Sequence, residues 1–303
     1  MICRRFLVPG LSFCKQISLL KHAPCRTSVS KINALQSSSE VSIDGNIHAK
    51  YENHPNFKSL LSVANSYGLH RNFLVEAINS NENVLSIDPN RMDEVASQLT
   101  KFGFGINLIE NFFTQYPEIC KTPKERLNAS LLLWSETKFG DNLLYAILNA
   151  HPELVDKFDS RSFERIRYLM PYLEKNKNIA LAILNSPNVL FEAWDTLKAK
   201  LEYLNSINIM SEKIATSGGL GLTLDEIKTR FEFLKRAGVY KDVHPKKRML
   251  NKLNPKIDKI LSTSNEEFAR NVARLSLAEF ETFTELYERE LEKEDYEDNE
   301  YDD

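Results

Sequence analysis

Apolar residues along the chain fall into two helical stripes that recur every 35 positions. The frame is set by Pro117, Pro152 and Pro187, which open the segments Pro-Glu-Ile-Cys, Pro-Glu-Leu-Val and Pro-Asn-Val-Leu. With each proline as offset 0, offsets 10, 14 and 17 are Leu127, Leu131, Trp134, then Ser162, Ile166, Leu169, then Leu197, Leu201, Leu204. Spacing of i, i+4, i+7 makes one face of a helix. Offsets 27, 30 and 31 hold Leu144, Ile147, Leu148 and then Ile179, Ala182, Ile183, which predicts a second amphipathic helix in each unit. Moving the frame back by 35 gives Met92, Ala96, Leu99 with Ile109, Phe112, Phe113, and then Phe57, Leu61, Ala64 with Leu74, Ala77, Ile78. Moving forward, the period contracts to 30 and yields Ile227, Phe231, Leu234.

Turn chemistry agrees with the stripes. Glycine stands at offset 21 in three units, as Gly68, Gly103 and Gly238, where the first helix should end in a left-handed cap. Thr223, Ser264 and Ser276 each precede a glutamate by three residues and read as capping boxes. One helix pair cannot bury its stripes alone, whereas stacked pairs can. The expected fold is all-α: an α-solenoid, right- or left-handed, of about six repeats of 30–35 residues with extra C-terminal helices. The expected boundaries are a presequence over 1–39, a repeat array over 40–245, partner-binding helices over 246–287, and an acidic disordered tail over 288–303.

Charge changes the picture at both ends. Residues 1–39 carry six Lys or Arg, seven Ser and no acid, the composition of a mitochondrial presequence, with a disordered basic arm as the alternative. Residues 285–303 carry eleven acids against two bases, a density that keeps a chain extended. The whole chain has 303 residues, 42% of them apolar, and a net charge of −3, enough apolar content for a folded core. No apolar run approaches the roughly 18 residues of a membrane helix. Of four cysteines only Cys120 lies beyond the presequence, so no internal disulfide is expected there.

The Pro-x-apolar-apolar start, the two helices and an interspersed Leu-Gly-Leu resemble the mitochondrial transcription termination factor family. The resemblance covers roughly residues 55–290. It is sharpest from Gly219-Leu220-Gly221-Leu222 through Arg230, Leu234 and Gly238, on to Leu253-Asn254-Pro255 and Leu277-Ala278-Glu279-Phe280. It implies a helical superhelix with a basic inner surface that binds nucleic acid. The order of these motifs is most similar to the branch that pairs, as a heterodimer, with a Sun-family cytosine-5 RNA methyltransferase. That branch implies a matrix protein that delivers the enzyme to mitochondrial rRNA in the large ribosomal subunit, with mitochondrial DNA as the other target. Residues 40–224 hold 18 bases and 22 acids, a departure from a strongly basic array.

The residues themselves offer little catalysis. No His-Glu-x-x-His, paired Cys-x-x-Cys, Walker-type or Gly-x-Ser-x-Gly motif occurs, no cofactor is called for, and an enzyme reading has no residues to name. The cluster Gly218-Gly219-Leu220-Gly221 lacks the spacing of a dinucleotide site and is better explained as a repeat joint.

The positive signal is placement of charge. Arg91, Arg126 and Arg161 share offset 9, and Arg165, Lys200 and Arg230 share offset 13, on one face of the first helix. Stacked repeats would align them into a row that tracks phosphates; solvated helix-face charges are the alternative. Lys198 and Lys228 share offset 11, and Lys246-Lys247-Arg248 form a loop cluster. Aromatic residues sit mostly in the helix stripes, so shape recognition of structured RNA is expected over base stacking. The terminal unit has no following neighbour, and an apolar face formed by Leu253, Pro255, Ile257, Ile260, Leu261, Phe268, Val272, Phe280 and Phe283 is the expected partner surface.

Overall fold

A computed structural model describes residue 51 and residues 54–70, 72–242 and 254–300, with side chains as far as residue 293. The presequence of 1–39, the cluster Lys246-Lys247-Arg248 and Leu253 lie outside these residues. Among the described residues every regular element is a helix or a turn. They divide into two compact units, one ending at Cys120 and the other starting at Lys121.

In the first unit α1 (Pro55–Ser66) and α2 (Phe73–Ser80) are followed by a tight 3-10 turn, Glu82–Ser86. Then come α3 (Pro89–Lys101) and α4 (Ile106–Gln115). The second unit carries α5 (Lys124–Glu136), α6 (Asp141–Ala150), α7 (Ser160–Leu173), α8 (Asn176–Asn185), α9 (Trp194–Ser206), α10 (Ser211–Thr216) and α11 (Leu224–Arg236). Within each unit first helices pack on first helices and second on second: α1 on α3 and α2 on α4, then α7, α9 and α11 in sequence beside α6, α8 and α10. This is helical-repeat packing, as the two stripes require.

The stripes are the core. Leu127, Leu131, Trp134, Leu169, Leu197, Leu201, Leu204, Ile227, Phe231 and Leu234 are all buried, and so are Ile147, Leu148, Ile179 and Ile183. Two expected positions differ, and one of them, Leu144, is half-exposed. At the other, Leu61 is half-exposed and Leu60 is fully buried instead. Spacings of i+3 and i+4 both fit a 3.6-residue turn, and only the neighbouring helix selects between them.

Each repeat opens on a short turn, such as Pro187–Leu190, because proline cannot continue the preceding helix. Where the proline is missing, other chemistry starts the turn. Asn81 accepts a bond from the Asn83 N–H, and the Ser217 hydroxyl accepts one from the Gly219 N–H at 3.2 Å. Gly218 there has φ +67, and Gly219 lies so close to Leu261 that a Cβ would fall 2.5 Å from its Cδ1. The glycine cluster is therefore a packed joint between repeats.

The bend between paired helices needs a left-handed residue in all six repeats. Gly68, Gly103 and Gly238 supply it, as their spacing predicts, but Lys138 (φ 57), Glu174 (φ 65) and Asn208 (φ 62) do the same work in the others. For Lys and Glu this conformation costs about 1 kcal/mol, which the packing on both sides sustains.

Three elements close the chain: α12 (Ile257–Leu261), the turn and wide π-type helix α13 (Asn265–Glu267 and Phe268–Ala273), and α14 (Leu277–Glu300). Thr223–Glu226 forms a complete capping box, and Ser276 and Glu279 exchange the same bonds at the start of α14. The acidic stretch from residue 288, expected as a tail, lies within α14, which runs through Glu300. Its glutamates and lysine are good helix formers, and Arg236 holds Glu290 through two bonds of 3.2 and 2.7 Å.

Candidate nucleic-acid interface

The turns that begin each repeat are too short to satisfy their own carbonyls, and their apolar residues, such as Val84, Ile119, Val189 and Leu220, are buried. Side chains from the preceding first helix answer this need. In the first unit Asn56 donates to the carbonyls of Leu85 and Ile87, both at 2.7 Å, and Arg91 Nε donates to the Cys120 carbonyl at 3.3 Å. In the second unit Arg126 Nε reaches the Asp156 carbonyl, the Ser130 hydroxyl the Val155 carbonyl, and Trp134 Nε1 the Leu154 carbonyl. Lys200 donates to the Leu220 carbonyl at 3.4 Å and pairs with Glu192 at 2.5 Å. Arg230 donates to the Ile260 carbonyl at 2.7 Å and to Asn265 at 2.8 Å, with its guanidinium over Phe268.

Arg91 and Arg126 at offset 9, and Lys200 and Arg230 at offset 13, thus face the next repeat's turn, whereas the sequence places them in a phosphate row. Lys200 and Arg230 are 2% and 5% exposed, and their charged groups serve the joints. Burial also lowers the Arg230 pKa, against a raising influence from Glu226. Arg91 is engaged by Cys120 and by an ion pair with Glu94. Cys120 is buried, which pushes its thiol up to about 12. Lys198 pairs with Glu202 at 3.7 Å, and Lys228 is half-buried.

What remains at the surface is narrower and clearer. Arg126 is exposed although its Nε is held, and Arg161, in the same position one repeat on, is exposed as well. A groove of about 420 Å³ is lined by Arg126, Glu153, Leu154, Lys157, Pro187, Asn188 and Phe191. It follows the starts of three consecutive repeats and carries two cations against one acid. On α7, residues Arg161, Arg165, Tyr168 and Tyr172 share one helical face, spaced by 4, 3 and 4 residues. Arg165 lies over the Trp194 ring at 5.2 Å, Tyr168 is 5.5 Å from that ring, and Tyr172 is 6.1 Å away. Arg165 Nη1 is buried with no hydrogen-bond partner.

Tyr168, Tyr172, Phe191 and Trp194 are aromatics that lie outside the helix stripes. Tyr168 and Phe191 are 53% and 51% exposed. A signal for them existed in the sequence, since none of the four occupies a stripe offset.

A sequence model of the mTERF family matches residues 26–269. The chain belongs to the mTERF family. This mTERF chain is also similar to a mouse protein, transcription termination factor 4, mitochondrial, with 24% identity over 208 residues. The aligned stretch covers 68% of this chain and 60% of the mouse protein's length. Among the described residues of this mTERF chain, no group of three His, Cys, Asp or Glu is placed to hold a metal ion, and no helix is long and apolar enough to cross a membrane.

The C-terminal surface of this mTERF chain also differs from the expected one. Ile260, Leu261, Phe268, Val272 and Phe280 are buried within the chain itself. Phe268 packs tilted against Phe233 at 6.2 Å and Phe280 packs edge-on against it at 5.0 Å, so the last helices form a closing cap for the core. Pro255 and Ile257 are partly exposed. Phe283 lines an open groove of about 520 Å³ with Phe233, Ala237, Leu275, Ala278, Thr282 and Leu286, edged by Arg236 and Glu279. Leu286 is 52% exposed there.

Proposed function

We propose that this mTERF chain is a non-catalytic, mitochondrial nucleic-acid-binding adaptor. It binds structured RNA, in mitochondria the rRNA of the large ribosomal subunit, and recruits a Sun-family cytosine-5 RNA methyltransferase as a heterodimer. The observation that carries the binding half is the exposed strip of Arg126, Lys157 and Arg161 with Arg165 at its edge, set along consecutive repeats beside an open groove. Such a row neutralises phosphates and gains affinity by releasing counterions. Mitochondrial location is supported by the name of the mouse relative and by the basic, acid-free first 39 residues.

The partner half rests on the groove of Phe233, Leu275, Phe283 and Leu286, a concave apolar surface with a charged rim of the kind that anchors a protein partner. The mouse relative's name, a transcription termination factor, favours a second reading in which duplex mitochondrial DNA is the target.

The paired variant Arg126→Glu with Arg161→Glu is expected to weaken RNA binding on the order of a hundredfold at low salt and to flatten its salt slope, with thermal melting as the control for folding. Unchanged binding would remove the proposal. Competition between duplex DNA and structured rRNA fragments at physiological salt separates the two targets. Leu286→Asp, on an exposed position, should abolish association with the methyltransferase and leave RNA binding intact.

A further inference from the structure

We propose that the aromatic patch on α7 and at the start of α9 captures unpaired nucleobases, so that the adaptor reads single-stranded segments within a folded RNA. The inference rests on the binding function proposed above and names the part of the RNA that this face engages.

Four features converge. Tyr168 and Phe191 are large, flat and more than half exposed, whereas the stripe aromatics Phe57, Phe112, Trp134 and Phe231 are sealed in the core. Trp194 already carries a planar cation, the Arg165 guanidinium, at 5.2 Å, and is flanked by Tyr168 at 5.5 Å. Guanidinium and base have the same flat shape and the same affinity for a ring face. Exposed Arg161 and the buried, unbonded Nη1 of Arg165 lie on the helical face that also carries Tyr168 and Tyr172. Phe191 lines the groove that holds Arg126 and Lys157. Cations and rings are therefore side by side both on the α7 face and in the groove.

A paired base hides its faces in the helical stack and offers an aromatic ring nothing to cover. An unpaired base in a loop or bulge offers a full face, and a phosphate accompanies it at a length that neighbouring arginines can reach. Charge favours nucleic acid over a protein partner, since the groove residues carry Arg126 and Lys157 against Glu153 alone.

The test compares a twelve-nucleotide oligouridine with a twelve-base-pair RNA duplex on the full-length protein. Trp194 is one of two tryptophans, and the other, Trp134, is 1% exposed, so quenching of emission reports on Trp194. Oligouridine should quench emission, duplex should not, and Trp194→Phe should abolish the quenching. Tyr168→Ala and Phe191→Ala should each weaken oligouridine binding about tenfold and leave duplex binding unchanged.

Equal binding of both probes with no effect of the two alanine variants would overturn the stacking site. If the arginine reversals still weaken RNA, that failure belongs to the aromatic patch alone. If neither set of variants affects any RNA, the function proposed above fails with it. Loss of a bound protein from the alanine variants, with RNA binding intact, would assign the patch to a protein partner and equally overturn the proposal.

Discussion

Arg230 and Arg165 stand at the same offset of their repeats, and they have opposite fates. Arg230 is 5% exposed, bonded to the Ile260 carbonyl and to Asn265, and covered by Phe268. Arg165 is half-exposed, rests on the surface ring of Trp194 and leaves Nη1 without a hydrogen bond. The difference lies in the neighbour. Past Arg230 the chain folds α12 and α13 over the joint, whereas past Arg165 it places Phe191 and Trp194 at the surface. One periodic position thus serves as a fastening in one joint and as a presented cation in another.

Replacing the fastening should show the largest effect. Arg230→Leu leaves the Ile260 carbonyl buried without a donor and removes the cation from Phe268, and should cost about 3 kcal/mol, read by denaturant unfolding. Lys200→Met removes the cation paired with Glu192, although Asn188 Nδ2 still donates to Glu192 and to the Leu220 carbonyl, and should cost about 2 kcal/mol by the same measurement. Arg165→Leu should cost less than about 1 kcal/mol, the worth of an exposed cation–ring contact, while reducing RNA affinity. Equal losses for Arg165 and Arg230 would break the distinction.

The smallest effect concerns the last helix. Arg236 hydrogen-bonds Glu290 and holds its carboxyl below the ordinary glutamate range, against slight desolvation. A depressed folded pKa means that the contact contributes above the unfolded pKa and is lost as pH falls through the folded one. The helical signal of α14 should therefore decline on acidification below the ordinary glutamate value, and Arg236→Gln should remove that step from the circular dichroism profile.

Much of the fold is legible without coordinates, for reasons visible in particular residues. The stripe from Leu127 to Trp134 is buried because an amphipathic helix has one face to hide, and Gly68, Gly103 and Gly238 adopt positive φ because the bend demands it. Lys138 and Glu174 escape notice because nothing in their side chains announces a left-handed backbone; the helices on either side impose it. Periodicity places Arg91, Arg126, Lys200 and Arg230 beside the stripe but is blind to the carbonyls that await them there.

The amino-acid sequence by itself determined the repeat, the helix pairs, the buried stripes and the charged ends, because these depend on local spacing and on which face must leave water. Tertiary structure alone decided which cations are consumed in joining repeats, which aromatics remain outside, and which apolar residues of the last helices close the core. Those outcomes depend on what an adjacent repeat brings within a few ångströms, and such contacts join residues about thirty positions apart, beyond the reach of any single helix pattern.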